Sequence, residues 1–376
     1  MDTFKVKTEI KFGQNALEYL KTIRDQKILI VTDPFMVQSN LIGKVTEFFT
    51  AGNYHVFSDI VPDPPVELVA KGVTEAKAFA PDVILALGGG SAIDAAKAIK
   101  DLAMKIGNLK DITFIAIPTT SGTGSEVTSF AVITDQEKGR KYPLISDELL
   151  PDIAILEPEL VKSVPPATVA DTGMDVLTHA IEAYVSTKAT DFSDAFAEKA
   201  AQLVFQYLKR SYDSADDLVA KEKMHHASCL AGLAFNMASL GLNHAMAHNI
   251  GGKLHVPHGR TNAILLPYII EFNANIEGYN QTSYSEAAKK YARLAHLIGF
   301  GGGNVRSGVK NLMNEIKKLE KSMEMPSSIL ECNVTKDQFA SNEVEIALGA
   351  LEDSTIDTNP RMATKEDILS ILHEIV

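Results

Sequence analysis

Four short stretches, "KILIVTDP" (27–34), "DVILALGGG" (82–90), "ITFIAIPTT" (112–120) and "DIAILEPEL" (152–160), are apolar almost without interruption and stop at Asp, Gly, Pro or Thr. A strand with one wet face alternates, whereas a strand apolar at successive positions must be covered on both faces. That is the condition of a parallel sheet held between helical layers. With helical text between the runs, the first part of the chain is predicted to be α/β. The opening "TFKVKTEIKFG" alternates instead and reads as an antiparallel or edge strand.

Around "KSVPPATVADTGMD" (162–175) two prolines break the pattern, and a Thr or Asp is available to cap the helix beyond them. From there to Val376 strand-like text almost disappears, and segments such as "SDAFAEKAAQLVFQYLKRSY" (193–212) repeat apolar residues at helical intervals. The expectation is two domains, an α/β domain over 1–164 and an all-helical one over 165–376. "GFGGGN" (299–304) is expected to be a loop between two helices.

Composition narrows the function. The formal charge of −12, with no block of Lys or Arg to interrupt it, would repel a polyanion, so nucleic acid is not an expected partner. No signal-peptide pattern and no long apolar run is present, so a membrane is not expected either. Cys229 and Cys332 are too few for a disulfide framework or a thiolate cluster, which fits a reducing cytoplasm.

Two loops look built for an anion. "LALGGGSAIDAAKAIK" (85–100) runs strand, three glycines (Gly88, Gly89, Gly90), Ser91, helix; glycine lets backbone N–H groups approach a pyrophosphate, and a helix start offers free N–H groups and its positive end. A bare tight turn would read the same way, and the pattern is not the common GxGxxG. "PTTSGTGSEVT" (118–128) also follows a strand and supplies Thr119, Thr120, Ser121, Gly122 and Thr123. Two such loops at the carboxyl ends of strands in one sheet fall where open α/β sheets bind nucleotides. Asp33 closes an earlier strand. Its carboxylate either accepts hydrogen bonds from a ribose, favouring NAD over NADP, or caps the helix that begins at Pro34.

The helical half carries the other chemistry. In "DTGMDVLTHAIEAY" (171–184) the apolar stripe is Met174, Leu177, Ile181 and Tyr184, and Asp175 and His179, four apart, share a neighbouring face. Alone, that pair could be a hydrogen bond or a solvated face. The spacing recurs in "GLNHAMAHNIGGKLHVPHG" (241–259), which holds His244, His248, His255 and His258 of a total of ten histidines. A carboxylate and several imidazoles without cysteine suit a borderline divalent ion such as Fe²⁺ or Zn²⁺. His255 reads as a packing or surface residue, and His225 and His226 as helix residues away from a metal.

Through "GGGSAIDAAK", "PTTSGTGSEVT", "TGMDVLTHAIEAY", "GLNHAMAHNIGG", "PHG" and "TNPR" (358–361), in this order over nearly the whole chain, the sequence resembles the iron-containing (group III) alcohol dehydrogenases. The resemblance implies a dehydroquinate synthase-like architecture, in which a Rossmann-like NAD-binding domain and an all-helical metal-binding domain face each other across a cleft. It assigns the Fe²⁺ ligands to Asp175, His179, His244 and His258 and places His248 near the nicotinamide, able to relay the alkoxide proton. For the cofactor it points to Asp33, Gly88, Gly89, Gly90, Ser91, Asp94, Thr119, Thr120 and Thr123, and to Lys141 and Leu160. The implied reaction is metal-assisted alcohol oxidation, or aldehyde reduction, with hydride exchanged at the nicotinamide.

Through "KGRKYPLIS", "DFSDAFAEKAAQLVFQYL" and "TNPR", the chain is most similar to the propanol-forming branch found in bacterial propanediol-utilisation microcompartments. That implies propionaldehyde and 1-propanol as substrates of a cytoplasmic enzyme, inside or outside such a compartment, while the family resemblance implies a homo-oligomer, a dimer or larger. Ethanol, butanol, 1,3-propanediol and lactaldehyde enzymes share the same catalytic motifs, and a pocket distinguishes one methylene by only about 1–3 kcal/mol. A dehydroquinate synthase-like lyase would show Lys and Arg near the ligand motifs, a glycerol dehydrogenase a shorter ligand set, and a non-catalytic NAD sensor could lose the ligands; none of these matches.

Overall fold

Each of the four apolar runs becomes a strand with both faces covered. The computed structural model describes residues 3–107, 109–135, 140–278 and 281–376, and the chain divides into two units, Met1–Ser163 and Val164–Val376. The strands are β1 Glu9–Phe12, β2 Ile28–Thr32, β3 Tyr54–Phe57, β4 Val83–Gly88, β5 Thr113–Pro118, β6 Phe130–Asp135, β7 Arg140–Ile145 and β8 Ile153–Leu156. Six of them form one sheet in the order β1-β8-β5-β4-β2-β3, with every pair parallel.

The helices of this unit are α1 Pro34–Gln38, α2 Gly43–Thr46, α3 Val66–Phe79 and α4 Gly90–Lys105. Leu29, Val31, Ile84, Ala86, Phe114 and Ala116 pack on one side of the sheet with α3 and α4. Their chain neighbours Ile28, Ile30, Val83, Leu85, Ile115 and Ile117 pack on the other side with residues of the N-terminal segments. The lack of alternation in the sequence thus reflects two apolar layers. β1 is an edge strand, as its alternation indicated, but it runs parallel to β8 and not antiparallel. β6 and β7 form a separate antiparallel hairpin that the sequence pattern did not indicate.

The chain leaves β2 for β3 on one side and returns to β4 on the other. The carboxyl ends of β2 and β4 therefore flank a topological switch point, the usual ligand position in open α/β sheets.

Among the described residues the second unit contains no strand. Its helices are α5 Pro166–Val185, α6 Asp191–Asp213, α7 Leu218–Ala238, α8 Leu242–Leu254, α9 His258–Ala274, α10 Glu286–Leu297, α11 Val305–Ser322, α12 Lys336–Glu352 and α13 Lys365–Glu374. Pro166 occupies the first turn of α5, where a missing N–H costs no hydrogen bond. From Gly173 to Val185 every residue of α5 is buried, with α6, α7 and α9 packed around it. The face carrying Asp175 and His179 is therefore interior and not solvated. "GFGGGN" lies between α10 and α11, as expected. No helix among the described residues is long and apolar enough to cross a membrane.

Candidate metal centre and nucleotide cradle

Three of the four expected ligand residues converge. One ligand atom each from Asp175 on α5, His244 on α8 and His258 at the start of α9 lie within 4.8 Å of one another. His244 Nε2 is 3.6 Å and His258 Nε2 3.5 Å from Asp175 Oδ1. Around a tetrahedral ion, bonds of roughly 2.0–2.2 Å set ligand atoms about 3.3–3.6 Å apart, so the spacing fits a divalent cation held by oxygen and nitrogen. His179 takes a different position. Its ring stacks on His244 and on Phe235, each at 4.6 Å between centroids, and it does not join the converging set.

Asp175 and His244 are almost fully buried, while the His258 side chain stays 41% exposed. A buried carboxylate ordinarily resists ionisation. Burial does work against it at Asp175, but His179, His258 and His244 together outweigh that cost and hold the group well below the usual carboxylate range. Burial likewise disfavours a charged His244, yet Glu182 and Asp175 push the imidazole up to about 9. An incoming cation would take the place of that proton.

Helix packing brings His258 this close. A Cβ on Gly259 would lie 2.2 Å from the carbonyl oxygen of Asp171, so only glycine lets the start of α9 rest against α5 beside Asp175. Arg260 then clamps the same turn of α5, donating from Nε and Nη2 to the two oxygens of Asp171 at 3.1 and 2.9 Å.

Glu182, two turns along α5 from Asp175, belongs to no pattern that marked it in the sequence. Its Oε1 accepts from the backbone N–H of Asn243 at 2.7 Å and of His244 at 3.3 Å, and Asn359 Oδ1 accepts from Leu242 N at 3.1 Å. These acceptors satisfy the first turn of α8, which has no side-chain cap of its own. Glu182 Oε2 also bonds His244 Nδ1, leaving Nε2 to face Asp175. A carboxylate behind a ligating imidazole fixes its tautomer and raises its basicity. Asn359 belongs to "TNPR"; its partner Asn273 and the contact of Arg361 with Phe272 O at 2.8 Å give that motif a structural task.

His248, one turn beyond His244 on α8, stacks on His258 at 5.3 Å, and its Nδ1 lies 2.8 Å from Asp353 Oδ2. Asp353 is held in turn by the Thr355 backbone and hydroxyl. Burial opposes its ionisation, but the His248 and Thr355 bonds prevail and lower its pKa. His255 is the exposed left-handed residue that ends α8, and His225 and His226 sit within α7.

In the first unit the two loops meet. Thr119 N donates to Gly88 O at 3.0 Å, and Gly88 pairs in register with Pro118. Gly88 has a φ of +155°, and a Cβ there would lie 2.7 Å from that of Ala92 and 3.2 Å from Asp33 Oδ2. Both roles expected of Asp33 are thus compatible: it caps α1 by accepting from Met36 N at 3.1 Å, and it lies against the glycine turn. Gly89 is the N-cap of α4, so Gly90 and Ser91 begin the helix and its free N–H groups face the same carboxyl edge. Thr120 and Thr123 lie against Gly89 and Gly90.

Three expected cofactor positions need qualification. Asp94 is engaged by the protein itself: Ser125 Oγ donates to Oδ1 at 2.6 Å and Val132 N to Oδ2 at 3.0 Å, so it ties α4 to the second loop and the hairpin. Leu160 is fully buried in the core beneath the sheet, leaving only its backbone to offer a ligand. The side chain of Lys141, in β7, lies outside the described residues. Lys97, which closes "GGGSAIDAAK" without a role assigned to it there, donates to Thr128 O at 2.8 Å and Phe130 O at 2.6 Å; burial lowers it to about 8.

Comparison with known proteins identifies the family. The family model "Iron-containing alcohol dehydrogenase" matches residues 7–158, and "Fe-containing alcohol dehydrogenase family, C-terminal" matches residues 169–376. The chain is 46% identical to 1-propanol dehydrogenase PduQ of Citrobacter freundii over the full length of both. A crystal structure of 1,3-propanediol oxidoreductase superposes with a TM-score of 0.90 at 31% identity, covering all of both chains. Sulfoacetaldehyde reductase from Bifidobacterium kashiwanohense, in complex with NAD⁺, gives a TM-score of 0.87 at 29% identity, covering 100% of this chain and 98% of that one. The chain belongs to the iron-containing alcohol dehydrogenase family and is an oxidoreductase.

Proposed function

We propose that this member of the iron-containing alcohol dehydrogenases interconverts a short-chain primary alcohol and its aldehyde with NAD(H), and that propionaldehyde and 1-propanol are its pair. The observation that carries the reading is the triangle of Asp175, His244 and His258, with Glu182 fixing one imidazole from behind. A bound Fe²⁺ would supply Lewis acidity, favouring the alkoxide in one direction and polarising the carbonyl in the other.

The chain's own residues do the rest. Asp175 brings the single negative charge of the set, while neutral imidazoles hold a cation without cancelling its charge. His179 is proposed as the fourth ligand, supported by the family resemblance and by its place one turn after Asp175 on α5; its ring, stacked on His244, would have to move toward the converging three to reach an ion. His248 is oriented by Asp353 through Nδ1, which leaves Nε2 to carry a proton away from the reacting oxygen. Gly88 to Ser91 and Thr119 to Thr123 present backbone and hydroxyl donors to a pyrophosphate, and Asp33 a carboxylate to the adenosine ribose. The relative's name supports the C3 substrate, and the NAD⁺ complex of a structural neighbour supports the nucleotide. The reading extends to a homo-oligomer, which rests on the family resemblance, and reaches a microcompartment only through the likeness to the propanol-forming branch.

Anaerobic metal analysis joined to initial rates of NADH oxidation with C2, C3 and C4 aldehydes tests the proposal. One ion per chain and a maximum kcat/KM at C3 are expected; a protein that neither holds metal nor oxidises NADH with any of them would refute it. Asp33→Gly is expected to raise kcat/KM for NADPH about tenfold or more by removing a carboxylate that repels the 2′-phosphate. No gain with NADPH would remove Asp33 from the cofactor site.

A further inference from the structure

Within hydrogen-bond reach of all three ligand atoms sits a residue that neither motif nor periodicity singled out. Asn262, on α9 one turn after His258, is fully buried. Its Nδ2 lies 2.7 Å from Asp175 Oδ1, 3.1 Å from His258 Nε2 and 3.1 Å from His244 Nε2. Chemistry fixes which end of the amide points inward. An amide oxygen at 2.7 Å from a carboxylate oxygen would be repelled, and Asn243 Nδ2 donates to Asn262 Oδ1 at 2.8 Å on the opposite side. The two amide hydrogens therefore serve Asp175 Oδ1 and His258 Nε2.

We propose that Asn262 is a place-holder for the cation, a positioning residue that keeps the ligand atoms converged while no ion is bound and must release at least one of them when it arrives. The inference rests on the metal reading above. Two physical facts carry it. A buried carboxylate needs hydrogen-bond donors as well as charged neighbours, and the amide of Asn262 supplies Asp175 Oδ1 with one at 2.7 Å without adding charge. A neutral imidazole nitrogen has one lone pair, so His258 Nε2 cannot accept from Asn262 and ligate an ion at once. The amide bond to His258 and an ion on that nitrogen would therefore exclude each other, while the hydrogen bond from Asn243 Nδ2 to the amide oxygen limits how far the group would have to move.

A thermodynamic cycle with Co²⁺ as the probe tests this. For wild type, Asn262→Leu and Asn262→Ala, the thermal midpoint is measured without metal and with saturating Co²⁺, and the Co²⁺ dissociation constant by chelator competition. The place-holder role requires the ion-free midpoint to fall further than the loaded one, so the Co²⁺-induced rise grows in both variants and affinity tightens about tenfold, equivalent to about 1.4 kcal/mol. An ordinary core asparagine would lower both midpoints equally, and an outer partner of the bound ion would shrink the rise; either result overturns the inference. Should the leucine variant fail to fold, the alanine variant carries the test. A wild type that takes up no Co²⁺ would instead refute the metal reading itself.

Discussion

Asp175→Asn is expected to leave purification without its metal and with kcat/KM reduced roughly a thousandfold or more, as loss of several kcal/mol of Lewis-acid stabilisation demands. Asp175 Oδ1 is the atom that both His244 Nε2 and His258 Nε2 approach, and it is the only carboxylate of the converging set. The amide keeps the shape of the side chain but loses the charge that retains a dication. Nucleotide binding should survive, because the glycine and threonine loops belong to the other compact unit. Metal content by atomic spectroscopy and NADH binding by fluorescence separate the two effects. Stoichiometric metal in the variant would show that this triangle is not the ion's site.

The second large effect concerns Glu182, whose two oxygens have different duties. Glu182→Ala strips acceptors from the buried start of α8 and from His244 Nδ1 together, at a cost of roughly 3 kcal/mol or more of stability, since each orphaned buried donor costs about 1–3 kcal/mol. Glu182→Gln is more informative. Its amide oxygen can still accept from Asn243 and His244, so the fold should hold. Its NH₂ would then face His244 Nδ1 and force that nitrogen to accept, placing the ring proton on Nε2, where the cation must bind. Metal affinity is expected to fall roughly 10–100-fold, the range found for such outer partners, while the thermal midpoint of the ion-free protein changes little. Equal metal affinity in wild type and Glu182→Gln would leave Glu182 a helix cap and nothing more. The pair thus separates holding a helix from holding a tautomer.

Much of the architecture was legible because it is written locally. A run such as "ILIVT" states by its lack of alternation that both strand faces are covered, and the sheet covers both. The same alternation rule placed β1 at an edge but could not give its direction, because direction depends on its partner β8, which lies far along the chain. The hairpin of β6 and β7 was missed; its anchors are the inward-facing Asp94 and Lys97 of α4, residues whose polarity suggests exposure. Leu160 shows the reverse limit. The family resemblance names it as a cofactor position, yet its side chain packs in the core.

By itself the sequence determined the periodic and the contiguous: two apolar layers, a helical half, two loops rich in small donors, and imidazoles and a carboxylate placed at turns of a helix. Only the tertiary structure decided what stands behind and between them. Glu182 reaches His244 across 62 residues, Asn262 reaches Asp175 across 87, and Asp353 reaches His248 across 105. The reason is physical. Helix and strand periods come from backbone geometry repeating every few residues, so a single chain displays them, whereas a side-chain hydrogen bond depends on which helices pack together and leaves no period to read. It was packing, through the bare approach of Gly259 to α5, that turned separate aspartate and histidine residues into one coordination site.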